Sequence, residues 1–560
     1  MAPRRTLPLA ALLSVLVAAV QPTAAAAAPA TAAPAAAAPA TAAPAPASAI
    51  PARSTAALTA GTSSSTTGFR FVDLAMSDGV VLKANVIAPT SAGPHPALVF
   101  ISSWGLNDAE YLAQAKSLAG AGYVVLSYTT RGFWGSGGEI QTAGPADIAD
   151  LSKVIDWLVA NTATDPGRIG AGGVSYGAGL SLIGAAHDAR IRAVSAMSGW
   201  TDLVESLYAY ETRHPQAVWL LNLAAQLFGN PSDEFDEFVD DYFDNRNIQR
   251  MISWGQVRSA RTYLDRLNAN RPAILLANAY GDSIFGPNQL VDFFGAYTGH
   301  KRLEFSPGDH AIPELTGLAG LPNEVWTSTR RWFDEHVRGT GPVSPASQVV
   351  LRVRNAGGAV ESYANWADVV GRTVRYGLGA TRWWDGTGPL AESTPTAGWS
   401  ETISAIGDTV ADGGVVLLSG GLEALTGEPA SAWLPAVSRV RGAVWISEPV
   451  DRGAQVRGVA RLHLTVRPSH AAGTLVAYLY DVNSLGNGRL ITHTPFTWTE
   501  ATRNAPRAVD IALPATAWNV PAGHQLALVI DTEDPLYMDA NSFGSSITIA
   551  GPSWLDLPLR

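Results

Sequence analysis

The sequence predicts an α/β protein with a largely parallel central sheet, a helical insertion, and an all-β C-terminal region. Three observations predict it. Between Pro96 and Gly199, strand-like runs such as PALVFISSW, YVVLSYTT and IRAVSAMSG alternate with helical spacings, the rhythm of a parallel sheet with helices on both faces. Between Trp200 and Asn270 that rhythm stops, and aromatic-rich helical patterns such as HPQAVWLLNLAAQLF take over without a convincing strand. Beyond Pro345, short alternating runs such as ARLHLTVRP, TLVAYLYDV and HQLALVID, punctuated by Gly, Pro and Asn, indicate a sandwich or jelly roll.

The first elements lie outside the expected fold. Arg4 and Arg5 precede the apolar run Leu7 to Val20, and small residues from Thr23 to Ala28 offer cleavage sites, so residues 1–26 read as a secretory signal peptide. The run is shorter than the roughly 20 residues a bilayer span requires. The mature protein is therefore expected outside the cell, with no membrane partner once the signal is removed. Residues 27–68, rich in Ala, Pro, Ser and Thr, carry no hydrophobic periodicity and read as a flexible spacer.

Composition narrows the function. The chain has 560 residues, 47% hydrophobic, a net charge of -10 and no cysteine. That length predicts two domains plus accessory segments. The mildly acidic balance argues against nucleic acid as a partner, and the missing cysteines exclude thiol catalysis, thiolate metal sites and a disulfide framework.

Order is expected to begin near Phe69, where FRFVDLAM and VVLKANVIAP flank the turn Ser77-Asp78-Gly79. PALVFISSW then reads as a buried strand, Asp108 to Ala119 as a helix, and YVVLSYTT as a strand. In the helix from Ala143 to Asn161 the apolar residues Ile148, Leu151, Ile155 and Leu158 fall at helical spacing. RIGAGGVS follows as a strand, then a helix to about Ala186 and the strand IRAVSAMSG. The insertion at about residues 201–270 reads as a helical cap over the carboxyl edge of the sheet. The α/β rhythm resumes with RPAILLANAYGD, a helix from Gln289 to Tyr297, KRLEFSPGDH, and a last helix, EVWTSTRRWFDEHVRG. These elements place an α/β domain at residues 69–345 and a β domain at 346–560.

Ser175 is set among glycines, in Gly173-Val174-Ser175-Tyr176-Gly177. A strand before it and a helix after it are the context of a nucleophile elbow, where glycines two before and two after the serine remove side chains that would collide with neighbouring backbone. A serine hydroxyl needs a histidine to accept its proton and a carboxylate to fix that histidine's tautomer. In an α/β-hydrolase these follow in the order Ser, Asp, His at the ends of later strands. Asp282, after AILLAN, and His310, after RLEF, meet that requirement. Of the other nine histidines, His95 and His187 lie outside strand-end positions, His214 falls in the cap, His300 precedes a strand, His336 is in the last helix and four belong to the β region. Asp309 is adjacent to His310, but consecutive side chains diverge, so it is not expected to orient the ring. For the oxyanion, Tyr176 N–H supplies one donor by construction. Trp104, in the loop Ser102-Ser103-Trp104-Gly105, either donates through its backbone or indole N–H or forms an aromatic wall of the pocket.

TTRGFWGSGGE, GVSYGAG, AYGDSIFGP, SPGDHA and WFDEHVRGTG, together with AYLYDVNSLGNGRLIT and VPAGHQLALVIDTEDP in the β region, resemble the landmarks of the X-Pro dipeptidyl-peptidase and cocaine esterase family of serine hydrolases. The resemblance extends from Phe69 to the end. It implies a hydrolase domain with a helical cap, a C-terminal jelly roll, and the triad Ser175, Asp282 and His310. Family members commonly carry a tyrosine where this chain has Trp104, so the second oxyanion donor departs from the pattern.

The expected function is hydrolysis of an acyl ester or an Xaa-Pro amide through an acyl-enzyme, first as an Xaa-Pro dipeptidyl-peptidase-like enzyme and alternatively as a carboxylic ester hydrolase of cocaine esterase type, on a small ester or peptide substrate and without cofactor or metal. A dipeptidyl-peptidase must bind a free α-ammonium, and the acidic residues Asp233, Glu234, Asp236, Glu237, Asp240, Asp241 and Asp244 of the cap either provide that anchor or form a solvated helix face. A carboxylesterase needs only an apolar acyl pocket, for which the cap offers Trp219, Phe228, Phe235 and Phe238. In a third reading, of another class, the β region binds carbohydrate or a surface.

Overall fold

The computed structural model describes residues 66–560, so the signal peptide and nearly all of the spacer lie outside the described residues. The first strand, β1, is Thr67–Ala75 and starts two residues earlier than the sequence suggested. Its polar face carries no hydrophobic signal at Thr67 and Gly68, and only pairing with β2 (Val81–Pro89), Thr67 opposite Pro89, places them in the sheet.

A ten-stranded mixed sheet forms the hydrolase core, in the order β1-β2-β4-β3-β5-β6-β7-β8-β9-β10. Here β3 is His95–Ile101, β4 Val124–Tyr128, β5 Thr164–Val174, β6 Ile191–Met197, β7 Ala273–Ala279 and β8 Lys301–Ser306. From β4 through β9 (Ser347–Arg352) neighbouring strands run parallel, while the β1/β2 hairpin and β10 (Val360–Tyr363) add antiparallel edges.

Side chains alternate across this sheet as a pleated strand requires. Ala97, Val99 and Ile101 join one apolar cluster, which helices α2 (Pro145–Asn161) and α3 (Tyr176–His187) cover through Leu151, Ile155, Leu180 and Ile183. Leu98 and Phe100 point to the other face, covered by Leu118 of α1 (Leu112–Gly120) and by Trp326 and Phe333 from the last hydrolase helix, Glu324–Phe333. Eleven of the twelve residues of α3 are buried, and its glycines let it lie close to the sheet. At Gly173 an added Cβ would stand 2.7 Å from the Ile101 carbonyl oxygen, and at Gly177 it would collide with the same oxygen.

Between β6 and β7 the chain forms only helices: α4 (Leu203–Tyr208), α5 (Pro215–Phe228), α6 (Asp233–Asp244), α7 (Ile248–Val257) and α8 (Leu264–Asn270). In α6 the apolar Phe235, Val239 and Tyr242 are buried at helical spacing, and Asp233, Glu234, Asp236, Glu237, Asp240 and Asp244 are exposed. Asp241 is buried but accepts a hydrogen bond from Asn247 Nδ2 at 2.8 Å. Leu267 of α8 joins the hydrolase core, so the cap is anchored to it.

The hydrolase sheet does not stop at residue 345. QVVLR of β9 is an apolar run that reads equally well as a sandwich strand or a parallel edge strand, and pairing with β8, Lys301 opposite Ser347, makes it the latter. Beyond it, a thirteen-stranded sheet, continuous through Thr387–Glu392, folds so that its two halves enclose one core. The long strand Ser546–Leu559 pairs with Arg372–Leu378, Ser400–Ser404 and Arg461–Pro468. Gly473–Val482 lies between Asn487–Trp498 and Gln525–Asp531 in the other. Leu462, Leu464 and Val466 from the first meet Leu475, Leu479 and Leu528 from the second in one core. Val416, Ala515, Ala517 and Leu536 of this region join the hydrolase core, and buried Arg354 pairs with Glu423 at 2.6 Å.

Candidate active site

Strand β5 ends at Val174 and helix α3 begins at Tyr176, leaving Ser175 alone to make the turn. Its backbone sits at φ 57°, ψ -113°, a conformation that costs a non-glycine residue about 1–3 kcal/mol. Ser175 N–H donates to Met197 O at 2.8 Å, which fixes the elbow against β6.

The loops after β7 and β8 bring the other expected residues to the same place. His310 Nε2 lies 2.8 Å from Ser175 Oγ, and His310 Nδ1 lies 3.0 Å from Asp282 Oδ2. The remaining oxygen, Asp282 Oδ1, accepts the backbone N–H groups of Ile284 at 3.0 Å and Phe285 at 2.7 Å. All three side chains are buried. Burial by itself would lower the His310 pKa. The Asp282 carboxylate and its hydrogen bond, with further contributions from Asp309 and Glu314, outweigh it and raise the imidazole above its ordinary value.

Asp309 does not reach the imidazole. Its Oδ1 accepts the Ser283 N–H at 2.8 Å, the Ser283 hydroxyl at 2.7 Å and the His310 backbone N–H at 2.7 Å, clamping together the two loops that carry Asp282 and His310. Burial, then the nearby Asp282, pushes its carboxyl up to about 6.

Tyr176 N–H, at the first position of α3, has no intrahelical acceptor and lies at the positive end of the helix dipole. Its phenol donates to Asp147 Oδ2 at 2.7 Å and accepts Ala143 N–H at 2.6 Å, so the hydroxyl is committed to partners other than Ser175. Trp104 is a wall of the pocket: its ring packs edge-on to Tyr176 at 5.3 Å and to Phe133 at 4.9 Å. Its indole N–H is committed to Leu221 O of the cap at 2.8 Å. Of the two donors expected from Trp104, that removes the indole and leaves the backbone N–H.

Two buried acids escaped the sequence reading. Glu110 lies under the Trp104 loop, with Oε2 accepting Ser103 N–H at 2.7 Å and Oε1 at 2.6 Å from Ser103 Oγ. Glu314 accepts the Ser198 hydroxyl at 3.0 Å beside His310. Burial raises each to about 7. Glu110 shares its turn with Asn107 and Asp108, and Glu314 is a single acid between Pro313 and Leu315, so neither pattern separates a buried acid from a surface one.

Against Ser175 lies a pocket of about 60 Å³ walled mainly by apolar side chains, among them Trp104, Trp200, Leu207, Phe235, Phe238 and Phe285, with Thr142, Tyr176 and Asn222 as its polar members. Among the described residues, no charged side chain lines it. Of the expected cap aromatics, Phe235 and Phe238 are in the wall, Phe228 stacks on Trp134 at 5.4 Å, and Trp219 is exposed. A nucleophile hydrogen-bonded to a base, with backbone donors and an apolar cleft, can carry out acyl transfer.

Comparison with known proteins agrees. Residues 78–312 match the X-Pro dipeptidyl-peptidase (S15 family), and residues 343–553 match the X-Pro dipeptidyl-peptidase C-terminal non-catalytic domain. The fold is shared with an aminopeptidase from a marine sediment archaeon, Thaumarchaeota archaeon, at TM-score 0.67 and 14% identity over 88% of this chain and 96% of that one. It is shared as well with an α-amino acid ester hydrolase, at TM-score 0.66 and 16% identity over 90% and 99%. Among curated sequences, an uncharacterized 31.7 kDa protein of Escherichia coli is 27% identical over 135 residues, 24% of this chain and 46% of that protein, so the chain spans less than half of that relative's length. With matched domains covering both its hydrolase and its β region, in the family's order, the chain belongs to the X-Pro dipeptidyl-peptidase and cocaine esterase family of serine hydrolases.

Proposed function

We propose that this protein is an exported serine ester hydrolase that cleaves esters of apolar, uncharged acyl groups, with Ser175 as nucleophile, His310 as general base and acid, and Asp282 orienting His310. The apolar, uncharged pocket against Ser175 carries the reading. An α-ammonium buried there would lack a counter-charge, at a large desolvation cost, and the acidic residues of α6 that would have supplied one face solvent. Export is supported by Arg4, Arg5 and the apolar run that follows them.

In this mechanism Ser175 Oγ attacks the ester carbonyl as His310 Nε2 takes its proton. The Tyr176 and Trp104 backbone N–H groups stabilise the oxyanion. Collapse expels the alcohol, protonated by His310, and leaves an acyl-enzyme. Water, deprotonated by His310, then releases the acid and restores Ser175.

A second reading, an Xaa-Pro dipeptidyl-peptidase, is favoured by the description of both matched domains. The test uses the mature protein and Ser175→Ala with chromogenic benzoyl and acetyl esters and with Xaa-Pro amides bearing free or blocked N-termini. Turnover of benzoyl esters that is lost in Ser175→Ala is expected. Cleavage confined to free-amine Xaa-Pro amides would replace the esterase reading, and activity surviving in Ser175→Ala would remove both.

A further inference from the structure

His300, Glu335 and His336 form a cluster with no part in the chemistry at Ser175. One ligating atom from each lies within 4.8 Å of the others. His300 immediately precedes β8, while Glu335 and His336 lie on a π-helical turn, Asp334–Arg338, that ends the last hydrolase helix. Such turns are rare and recur at functional sites. Because His310 follows β8 at its other end, this cluster and the Ser175 site occupy opposite ends of one strand.

The donors are held in place. Glu335 Oε1 accepts Ser344 N–H at 2.7 Å, and His300 Nε2 lies 2.6 Å from the Pro345 carbonyl oxygen. Trp332 packs edge-on against both imidazoles, with ring centroids 5.5 Å from His300 and 4.2 Å from His336. His336 Nε2 is buried, has no hydrogen-bond partner among the described residues, and stands 3.7 Å from Glu335 Oε1. A buried polar atom without a partner is costly. The Glu335 and His336 side chains keep 13% of their surface exposed, which leaves a route for a small ion.

Two imidazoles and a carboxylate, gathered from two segments, are a donor set for a borderline divalent ion, with the Pro345 carbonyl fixing His300 and the Ser344 N–H fixing Glu335. We propose that His300, Glu335 and His336 bind one zinc ion, which ties the end of the last hydrolase helix and the segment at Ser344 and Pro345 to the start of β8. Its role is structural: it braces the point where the chain leaves the hydrolase helices for β9.

The test uses the full-length protein, stripped with a chelator, dialysed, and titrated with ZnCl₂ by calorimetry and by thermal unfolding. One zinc per chain and a rise in Tm are expected, with hydrolysis of a chromogenic ester unchanged between stripped and loaded protein. His300→Gln and His336→Gln should each weaken binding by roughly a hundredfold, whereas His463→Gln, at an imidazole–carboxylate pair elsewhere, should not. No binding to the unaltered protein at millimolar zinc, or binding unchanged in both His300 and His336 variants, overturns the proposal. Should both variants fail to fold, X-ray absorption at the zinc edge of the unaltered protein decides: two imidazole ligands support the site, and fewer than two overturn it. Loss of ester hydrolysis in Ser175→Ala is independent of every one of these outcomes.

Discussion

Glu110 grips Ser103 with both carboxyl oxygens, at 2.7 Å to its backbone nitrogen and 2.6 Å to its hydroxyl, while the same hydroxyl lies 2.9 Å from the carbonyl of Val174. Ser103 has one hydroxyl proton. A carbonyl only accepts, so both contacts are hydrogen bonds only if Glu110 carries the second proton and donates it to Ser103 Oγ. Burial favours that protonated form, raising Glu110 to about 7. The chain Glu110–Ser103–Val174 thus ties the Trp104 loop to the residue before the nucleophile.

Glu110→Gln offers a neutral side chain that donates to Ser103 Oγ and accepts its N–H. It is expected to keep wild-type kcat and to lose the decline that Glu110 ionisation imposes on the wild type above pH 7. Glu110→Ala frees the loop and should lower kcat by about ten- to a hundredfold with a smaller change in KM. The kcat–pH profiles of the three proteins decide, and a Gln variant as impaired as the Ala variant would show that the ionised form is the working one.

In the proposed mechanism Asp282, 3.0 Å from His310 Nδ1, holds the proton on that nitrogen and leaves Nε2, 2.8 Å from Ser175 Oγ, free to accept. In Asp282→Asn the amide favours the opposite tautomer, so kcat is expected to fall by about ten-thousandfold. The backbone bonds from Ile284 and Phe285 still have an oxygen to meet, so the fold should persist. Circular dichroism together with single-turnover kinetics reads both, and a loss under tenfold would deny Asp282 this role.

The elbow was legible because its geometry is local: Gly173 and Gly177 are required by the one oxygen of Ile101 they both approach. Asp282 and His310 were legible because strand ends can be located from apolar runs. What was hidden depends on long-range partners. The Trp104 indole meets a carbonyl 117 positions away, and Glu110 becomes a buried acid only when Ser103 folds over it. The edge strand β9 hides for another reason, since an apolar run of its length carries no mark of which sheet it joins.

The pocket against Ser175 is small enough for its walls to select the acyl group. Leu207 on α4 lines it, and replacement by phenylalanine removes space without adding charge. In Leu207→Phe, kcat/KM for a benzoyl ester is expected to fall by roughly tenfold or more relative to an acetyl ester, the scale of one misfitted carbon group in an apolar pocket. Equal losses on both esters would place the acyl group elsewhere.

Glu314 faces His310 from the turn beyond it and, with Asp282 and Asp309, raises the imidazole against the opposing effect of burial. His310 must be neutral to accept the Ser175 proton, so activity rises with pH through its pKa. Removing a negative charge makes the imidazolium easier to deprotonate. In Glu314→Gln the acid limb of kcat/KM should therefore move to lower pH. The amide oxygen still accepts from Ser198, which separates the charge effect from loss of the loop contact. The measurement is kcat/KM from pH 5 to 9 with an ester whose leaving group does not titrate in that range, taken alongside the wild type. Glu314 is itself raised to about 7, so the wild-type limb should be shallower than a single ionisation and should sharpen in the variant. A limb that stays in place, or moves up, would mean that the Glu314 charge does not reach the base.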